Sequence, residues 1–296
     1  MVPKELEDAR EAYQGAIAST DRLLRTLRSD GVFAVESAES VVGVLLAQLQ
    51  ANDALMVPFF STTSRAPSLA ADTIGPCILS LRIGMGLDGP APDLARLGLA
   101  ALVHDLGRAR ALREGDAAAI RRGVEAQIQL LRQRGPAYTE LADLVVRIHD
   151  GLNESGPAGE TGRPIGEPAH VVGLATTYHD LARQPGNDER AWPPMRLKEI
   201  LRRQRSRFPD RILKALIRVL TSLPLGGLVR LNSGELGYVV AKNPGFPLRP
   251  VVAVWVCLGK LLTEPKTVDL QRDPFLYVEA FLGDGKLDLE LTGLLS

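Results

Sequence analysis

The spacing of apolar residues predicts helices along most of the chain. In the N-terminal region, apolar side chains recur mostly every three or four positions from Leu6 through Tyr13 to Leu27, which describes one face of an amphipathic helix. A break at Ser29-Asp30-Gly31 separates this stripe from a second one over 35–49. Because two such helices cannot bury their stripes alone, we expect them either to pack on the rest of the chain or to pair with a second copy.

The later part of the chain predicts more helices and then short strands. The helical segments are 78–87, 93–106, 116–134, 139–149, 171–181, 195–207, 210–223 and 273–282, and a loop is expected over 58–67. Runs rich in β-branched residues predict strands over 229–231, 236–241 and 251–256, because turn signals such as Asn232-Ser-Gly234 separate them. The pattern therefore predicts a mainly α-helical protein with a small C-terminal antiparallel β extension.

The composition argues against a general attraction to nucleic acid or to membranes. The 35 basic and 35 acidic residues give zero net charge, although a local charged patch is compatible with that balance. Cys77 and Cys257 lie in apolar runs without metal-ligand spacing, which indicates small core residues in a reducing compartment. The first residues lack the features of a signal peptide, and no apolar run is long enough to span a membrane. We expect a cytoplasmic protein without membrane insertion or specific nucleic-acid binding.

The stretch from Leu97 to Gly107 carries the first candidate chemistry. A run of apolar and small residues ends there in the adjacent pair His104 and Asp105, and the following Gly stops the helix. An imidazole and a carboxylate side by side can coordinate a divalent cation, which can activate water for attack on a phosphate ester. The alternative is a buried His paired with an Asp that only orients it.

Several segments resemble the HD superfamily of metal-dependent phosphohydrolases, and in particular its HD-GYP branch, which hydrolyses cyclic dinucleotides. The segments that carry the resemblance are 77–84, 94–107, 229–240 and 247–252. The resemblance covers roughly residues 50–282 and implies an HD-domain helical bundle. It suggests a division into an N-terminal helical region over 1–57, a degenerate HD-GYP-like domain over 58–222 and a β-rich extension over 223–296.

The resemblance also implies which positions would bind metal. His104, Asp105 and His149 match family ligands, and Asp72 lies where the family has a ligand His. Four other ligand positions are occupied by residues that do not match, namely Gly123, Ile148, Asn153 and Thr176. The retained set could hold one weakly bound ion such as iron or manganese, but hardly the two cations that the family's chemistry needs. We therefore expect a weak or absent metal site.

These losses favour a catalytically inactive HD-GYP-like protein that has a regulatory or scaffolding role in bacterial signalling. Such a protein needs no cofactor, and a protein partner is expected. The alternative is a divergent metal-dependent phosphohydrolase, or a cyclic dinucleotide phosphodiesterase, in which His104, Asp105 and His149 are catalytic and Asp72 completes the metal site. Binding of a cyclic dinucleotide or another anionic ligand stays open, and so does a homodimer.

A basic stretch between residues 196 and 211 is the most polarised part of the chain. Only Glu199 and Asp210 offset its positive charge. Like charges on one short helix destabilise it unless nearby acids or a partner compensate them, so the stretch is either a solvated face or a contact surface for an acidic partner or anionic ligand. The residues predicted to bind the partner are Arg196, Lys198, Arg202, Arg203, Arg205 and Arg207.

Overall fold

The computed structural model describes residues 2–31, 33–62, 68–104, 106, 117–152, 165–182, 202 and 205–283. The helices are α1 Lys4–Asp30, α2 Val35–Ala51, α3 Met56–Thr62, α4 Leu69–Met85, α5 Ala91–Val103, α6 Ala117–Arg132, α7 Pro136–Leu152, α8 Glu167–Ala182 and α9 Asp210–Thr221. The strands are β1 Leu228–Leu231, β2 Leu236–Ala241, β3 Val251–Cys257, β4 Lys260–Asp269 and β5 Val278–Gly283. The prediction of a mainly helical protein with a C-terminal antiparallel sheet is confirmed. Within these ranges, every helix is too short or too polar to cross a membrane.

Helices α4 and α5 form the centre of the helical core. Almost every residue of α4 from Ala70 to Gly84 is buried, and α4 packs on α1, α5, α8 and α9. Gly98 of α5 permits the close approach, because a Cβ atom there would lie 2.7 Å from a methyl group of Val42 and 2.8 Å from one of Leu81. One hydrophobic core therefore joins α1 and α2 to the later helices, the first of the two arrangements expected from the sequence.

The structure corrects two boundaries near the start of α4. Helix α3 occupies part of the predicted loop 58–67, and α4 begins at Leu69 rather than at 78. The side chain of Ser68 caps α4 by accepting a hydrogen bond from the Ala71 backbone N–H at 3.4 Å. The helix continues through Pro76, because dense packing on both sides outweighs the one backbone hydrogen bond that Pro removes.

The C-terminal sheet has five strands in the order β4-β3-β2-β1-β5, all antiparallel. The three predicted strands are confirmed, whereas β4 and β5 were not recognised. The helix predicted over 273–282 is wrong, because β5 pairs with β1 and places Phe281 opposite Val229. Strand β4 was not predicted because most of its residues are exposed at the edge of the sheet. Its apolar positions therefore do not alternate with polar ones.

A buried carboxylate joins the sheet to the helical core. Asp53 is 7% exposed; its Oδ1 accepts a hydrogen bond from the Leu225 backbone N–H at 3.1 Å, and its Oδ2 forms an ion pair with Lys242 of the β2–β3 connection. Lys242 also donates to Ser222 at 2.8 Å. These contacts fix the chain where it passes from α9 into β1.

The two cysteines lie in different surroundings. Cys77 is fully buried in α4, its thiol lies 3.3 Å from the Gly98 carbonyl oxygen, and burial raises its pKa to about 12. It is therefore an unreactive core residue, as expected. Cys257 is only half-buried at the end of β3, with its Sγ 3.4 Å from a carboxylate oxygen of Glu235.

Candidate functional site

His104 immediately follows α5 and is almost completely buried, with 1% of its surface exposed. Its Nδ1 lies 2.7 Å from the Ala101 carbonyl oxygen, and a carbonyl can only accept, so Nδ1 carries a proton. Its Nε2 lies 3.3 Å from the hydroxyl oxygen of Thr176 in α8. In the neutral ring Nε2 is an acceptor, and the Thr176 hydroxyl therefore donates to it. Both ring nitrogens of His104 thus have partners within the protein.

His149 of α7 lies directly beside His104. The centroids of the two rings are 6.0 Å apart, and Nε2 of His149 lies 2.9 Å from the backbone carbonyl oxygen of His104. Because that oxygen accepts, Nε2 of His149 carries a proton and donates. Its neighbour Ile148 is fully buried and Asp150 is mostly buried, so this end of α7 is packed into the core around the two histidines.

Gln127 of α6 is a buried polar residue that the sequence analysis missed. It is 2% exposed, and its side-chain amide donates to the Val103 carbonyl oxygen at 2.7 Å. It lies one helical turn after Gly123, where the resemblance places a missing ligand His, and Gly123 is itself buried. The sequence feature that could have identified Gln127 is its position as a single polar residue in the apolar stripe formed by Val124, Ile128 and their neighbours.

The remaining predicted metal ligands are only partly described. Asp105 and Asn153 lie outside the described residues, and Asp72 is half-buried in the first turn of α4. Among the residues that the structure describes, no group of three or more His, Cys, Asp and Glu side chains could hold a metal ion. With Nε2 of both His104 and His149 turned toward protein atoms, the described donors do not fit a two-cation centre. The roles of Asp72 and Asp105 as ligands stay predictions.

His179 and Asp180 in α8 form a second adjacent His-Asp pair. His179 is 3% exposed and lies against the backbone of Gly75, where any Cβ atom would come within 2.4 Å of the ring. Its ring centroid is 6.4 Å from that of Phe59. His179 is therefore part of the contact between α8 and α4, whereas Asp180 is exposed.

The basic stretch is described only at its end. Arg196, Lys198 and Arg203 lie outside the described residues, whereas Arg202 is exposed. Residues Arg205–Arg207 form a 3₁₀ turn rather than part of the predicted α-helix. The reason is that the half-buried guanidinium of Arg207 donates to the carbonyl oxygens of Gly151 and Leu152 at 2.9 and 3.2 Å, which holds the turn against the end of α7.

Other arginines of the basic stretch have acidic neighbours within the chain. Arg205 lies 3.7 Å from a carboxylate oxygen of Asp210, and Arg211 donates to Glu167 at 3.1 Å and to the Leu87 carbonyl oxygen at 3.0 Å. Since these pairs are exposed, they contribute little to stability. The role of the stretch in binding a partner stays a prediction.

Comparison with known proteins supports relationships for both parts of the chain. Residues 228–284, which contain the whole C-terminal sheet, match the family described as KOW domain associated with HD domain. A curated protein from Pseudomonas aeruginosa, named cyclic di-GMP phosphodiesterase PA4108, is 23% identical over 212 residues. The alignment covers 68% of this chain and 51% of that protein, so the chain spans about half the length of this relative.

No solved structure shows a significant match to the chain. The matched family is defined by its association with an HD domain, and the relative is a cyclic di-GMP phosphodiesterase by name. The first similarity covers only the sheet, whereas the second covers most of the chain. Together they show that the sheet is similar to an HD-associated KOW domain and that most of the chain is distantly similar to a cyclic di-GMP phosphodiesterase.

Proposed function

We propose that the chain is a catalytically inactive HD-GYP-like protein that acts as a regulatory or scaffolding component in bacterial signalling. The observation that carries the proposal is the 3.3 Å contact between Thr176 and Nε2 of His104. Under the family resemblance, Thr176 stands where the family has a ligand Asp. A neutral hydroxyl replaces a carboxylate there, and it donates to the nitrogen that would otherwise bind metal.

This replacement weakens metal binding in two ways. A carboxylate would contribute negative charge against a dication, whereas a hydroxyl contributes none. The hydroxyl also occupies the lone pair of Nε2, and any metal would have to displace that hydrogen bond in a site that is almost fully buried. His149 adds a similar obstacle, because its Nε2 donates to the His104 carbonyl oxygen. Histidines whose ring nitrogens are engaged in this way are suited to stabilising the helical core rather than to metal-dependent hydrolysis.

The alternative is a divergent phosphohydrolase with a reduced metal site. The neighbouring rings of His104 and His149 and the name of the Pseudomonas relative favour it. HD-type phosphodiesterases use divalent metals, and here Asp72 and Asp105 would complete a single site. The metal would supply an activated water and neutralise the phosphate.

A hydrolysis assay separates the two proposals. The purified chain is incubated with cyclic di-GMP and excess Mn²⁺ or Fe²⁺ under anaerobic conditions, beside His104→Ala as a matched control. We expect the chain and the variant to give the same background of linear dinucleotide. Hydrolysis by the chain that the variant lacks would reject the inactive assignment, and calorimetry with the same nucleotide would reveal binding without turnover.

The partner surface is tested by charge reversal. The variant carries Arg202→Glu, Arg203→Glu and Arg205→Glu, while Arg207 is kept because it holds backbone carbonyl oxygens. A matched control reverses the exposed α1 residues Arg22, Arg25 and Arg28.

We expect only the first variant to lose the partners recovered from the native cell. Their recovery by the unaltered chain should fall with salt, because exposed charges are screened beyond about 8 Å at physiological ionic strength. Equal recovery by all three proteins at low and high salt would mean that the basic stretch is only a solvated face.

A further inference from the structure

A groove of about 930 Å³ runs along α1 where this helix packs beside α2. Residues of α1 line the groove at a spacing that alternates between four and three positions, namely Asp8, Ala12, Gly15, Ser19, Arg22 and Thr26. This spacing describes one face of a helix and is the one with which helices pack along each other. From α2 the groove is lined by Val44, whose side chain is 50% exposed. The groove is therefore an uncovered face of the α1–α2 pair.

Gly15 lies in the middle of this face and keeps it shallow. A Cβ atom at this position would meet no other atom within 4 Å, so contacts within the chain do not require a glycine. A glycine inside a helix costs about 0.5 to 1 kcal/mol relative to alanine. What it permits here is the close approach of another helix to the backbone of α1.

The charged residues of this face have opposite signs toward the two ends of α1. Asp8 and Glu11 line the groove from the first third of the helix, and Arg22 lines it from the last third. Arg22 donates to the hydroxyl of Ser19 on the same helix at 2.9 Å, and none of the three charged residues forms an ion pair with another described residue. Gly15 lies midway between Asp8 and Arg22, which are about 21 Å apart along the helix.

We propose that this groove binds the same face of a second copy of the chain, with the two α1 helices antiparallel and a two-fold axis at Gly15. Asp8 of each copy then lies opposite Arg22 of the other copy, and Glu11 lies one turn further along, beside the same arginine. A parallel pairing would instead place like charges side by side, which disfavours it. A two-fold interface needs a surface that is complementary to itself, and the charges about Gly15 have that property.

The size of the pairing is sufficient for a specific dimer. An antiparallel pairing centred on Gly15 overlaps residues 4–26 of both α1 helices, a length of about 35 Å. With α2 on one flank the contact is about 20 Å wide, so it covers about 700 Å² of each copy, close to the average of about 800 Å² in stable interfaces.

The charges determine the orientation more than the affinity. Exposed ion pairs contribute only about 0.2 to 1 kcal/mol each, so burial of Val44 and of the small side chains along the groove supplies most of the affinity. The proposal goes beyond the proposed function, because the pairing involves α1 and α2 and not the histidine centre.

Charge reversal in the full chain tests the pairing. Analytical ultracentrifugation over a concentration series should show a monomer–dimer equilibrium, and its dissociation constant should rise roughly tenfold or more in Arg22→Glu. The variant with Asp8→Lys and Glu11→Lys should be weakened similarly. A chain with all three substitutions should return to within about threefold of the unaltered chain, because the opposite charges again face each other.

Arg25→Glu is the matched control for Arg22→Glu. Arg25 is exposed on the same helix, one turn after Arg22, and does not line the groove. Its reversal should therefore leave the dissociation constant within about threefold. The α1 control for the partner surface contains Arg22→Glu and should be weakened like that variant. The proposal is overturned if the chain is monomeric throughout, if both single reversals weaken the dimer equally, or if the triple substitution does not restore it.

Disulfide cross-linking tests the orientation in a chain that carries Cys257→Ala, which removes the half-buried thiol. Gly15→Cys should give a covalent dimer on mild oxidation, because the two-fold axis brings the two thiols together. Arg22→Cys should not, because its two thiols would be about 21 Å apart along the helices. Any other pattern, such as a covalent dimer from Arg22→Cys or none from Gly15→Cys, overturns the antiparallel pairing.

Discussion

The two ends of helices α5 and α8 satisfy their buried polar side chains differently. At one end, His104 and His149 direct ring nitrogens at the Ala101 carbonyl oxygen, the Thr176 hydroxyl and the His104 carbonyl oxygen. At the other end, Arg147 lines a cavity, and its Nε–H is shielded from solvent without an acceptor among the described residues. The sequence at the first end resembles an enzyme centre, and its histidine nitrogens are engaged in hydrogen bonds within the protein; we call it the closed end. The second end matches no motif and borders the cavity; we call it the open end.

Under the proposed function, this difference illustrates how a catalytic motif can persist as part of a core. Buried polar groups are costly unless they have partners, and a centre that loses metal ligands must satisfy its remaining ones from the protein. Thr176 and the backbone carbonyl oxygens do so around His104. The Nε–H of Arg147, by contrast, stays without an acceptor among the described residues.

We expect the largest effect on stability from removing the imidazole ring of His104 at the closed end. We expect His104→Ala to lower the free energy of unfolding by about 3 kcal/mol, because it opens a cavity in the core and removes the acceptor of the Thr176 hydroxyl. Urea denaturation monitored by circular dichroism measures the loss. The half-buried His170 supplies the control, since His170→Ala should cost clearly less; equal losses would mean that His104 is not embedded as described.

A smaller effect is expected from the hydroxyl that contacts His104. Thr176→Val should cost about 1 to 2 kcal/mol, because Nε2 of His104 is then buried without a donor. Its neighbour Thr177 is a matched control, since its hydroxyl only donates to the Gly173 carbonyl oxygen within the same helix at 2.7 Å. If Thr177→Val proves as costly as Thr176→Val, the contact with His104 has no special role.

At the open end the fold should tolerate loss of the charge. We expect Arg147→Met to lower the free energy of unfolding by less than about 0.5 kcal/mol, because a side chain whose Nε–H has no acceptor among the described residues is replaced by an apolar one of similar length. The same denaturation series decides this. A loss comparable to that of Thr176→Val would show that Arg147 has a structural partner and would weaken the contrast between the two ends.

The smallest effect concerns the pH dependence of stability. Burial lowers the pKa of His170, which lies in the first turn of α8 near the open end. The unfolded chain therefore binds a proton at this residue more readily than the folded chain, and stability should fall as the pH drops below the ordinary histidine value of about 6.5. Replacement by Gln should reduce that fall slightly, as measured by urea denaturation between neutral and mildly acidic pH. An unchanged pH profile would contradict this prediction.

Much of the fold was predictable because burial imposes a period on the sequence. The apolar stripes of α1 and α2 and the β-branched runs of β1 to β3 follow such periods. Strand β4 does not, since most of its residues are exposed, and the apolar spacing before Gly283 fits a helix as well as β5. The continuation of α4 through Pro76 depends on tertiary packing that a local pattern does not contain.

The candidate site was predictable where the resemblance supplied positions. It placed Thr176 in a ligand position, and the structure adds that its hydroxyl contacts His104. Gln127 was missed because a single polar residue in an apolar stripe has no obvious partner until the helices are packed. Arg147 was missed because an arginine in a helix is usually exposed, and only the cavity beside it makes its buried Nε–H notable.

The metal content of the purified chain is the most direct measurement of whether the His104 end is a closed centre. Protein prepared without chelator and freed of loosely bound ions is examined by elemental analysis. We predict less than one equivalent of transition metal per chain, because Thr176 and backbone carbonyl oxygens engage the histidine nitrogens. Two equivalents of iron or manganese per chain would contradict this and would identify the His104 end as a functional metal centre.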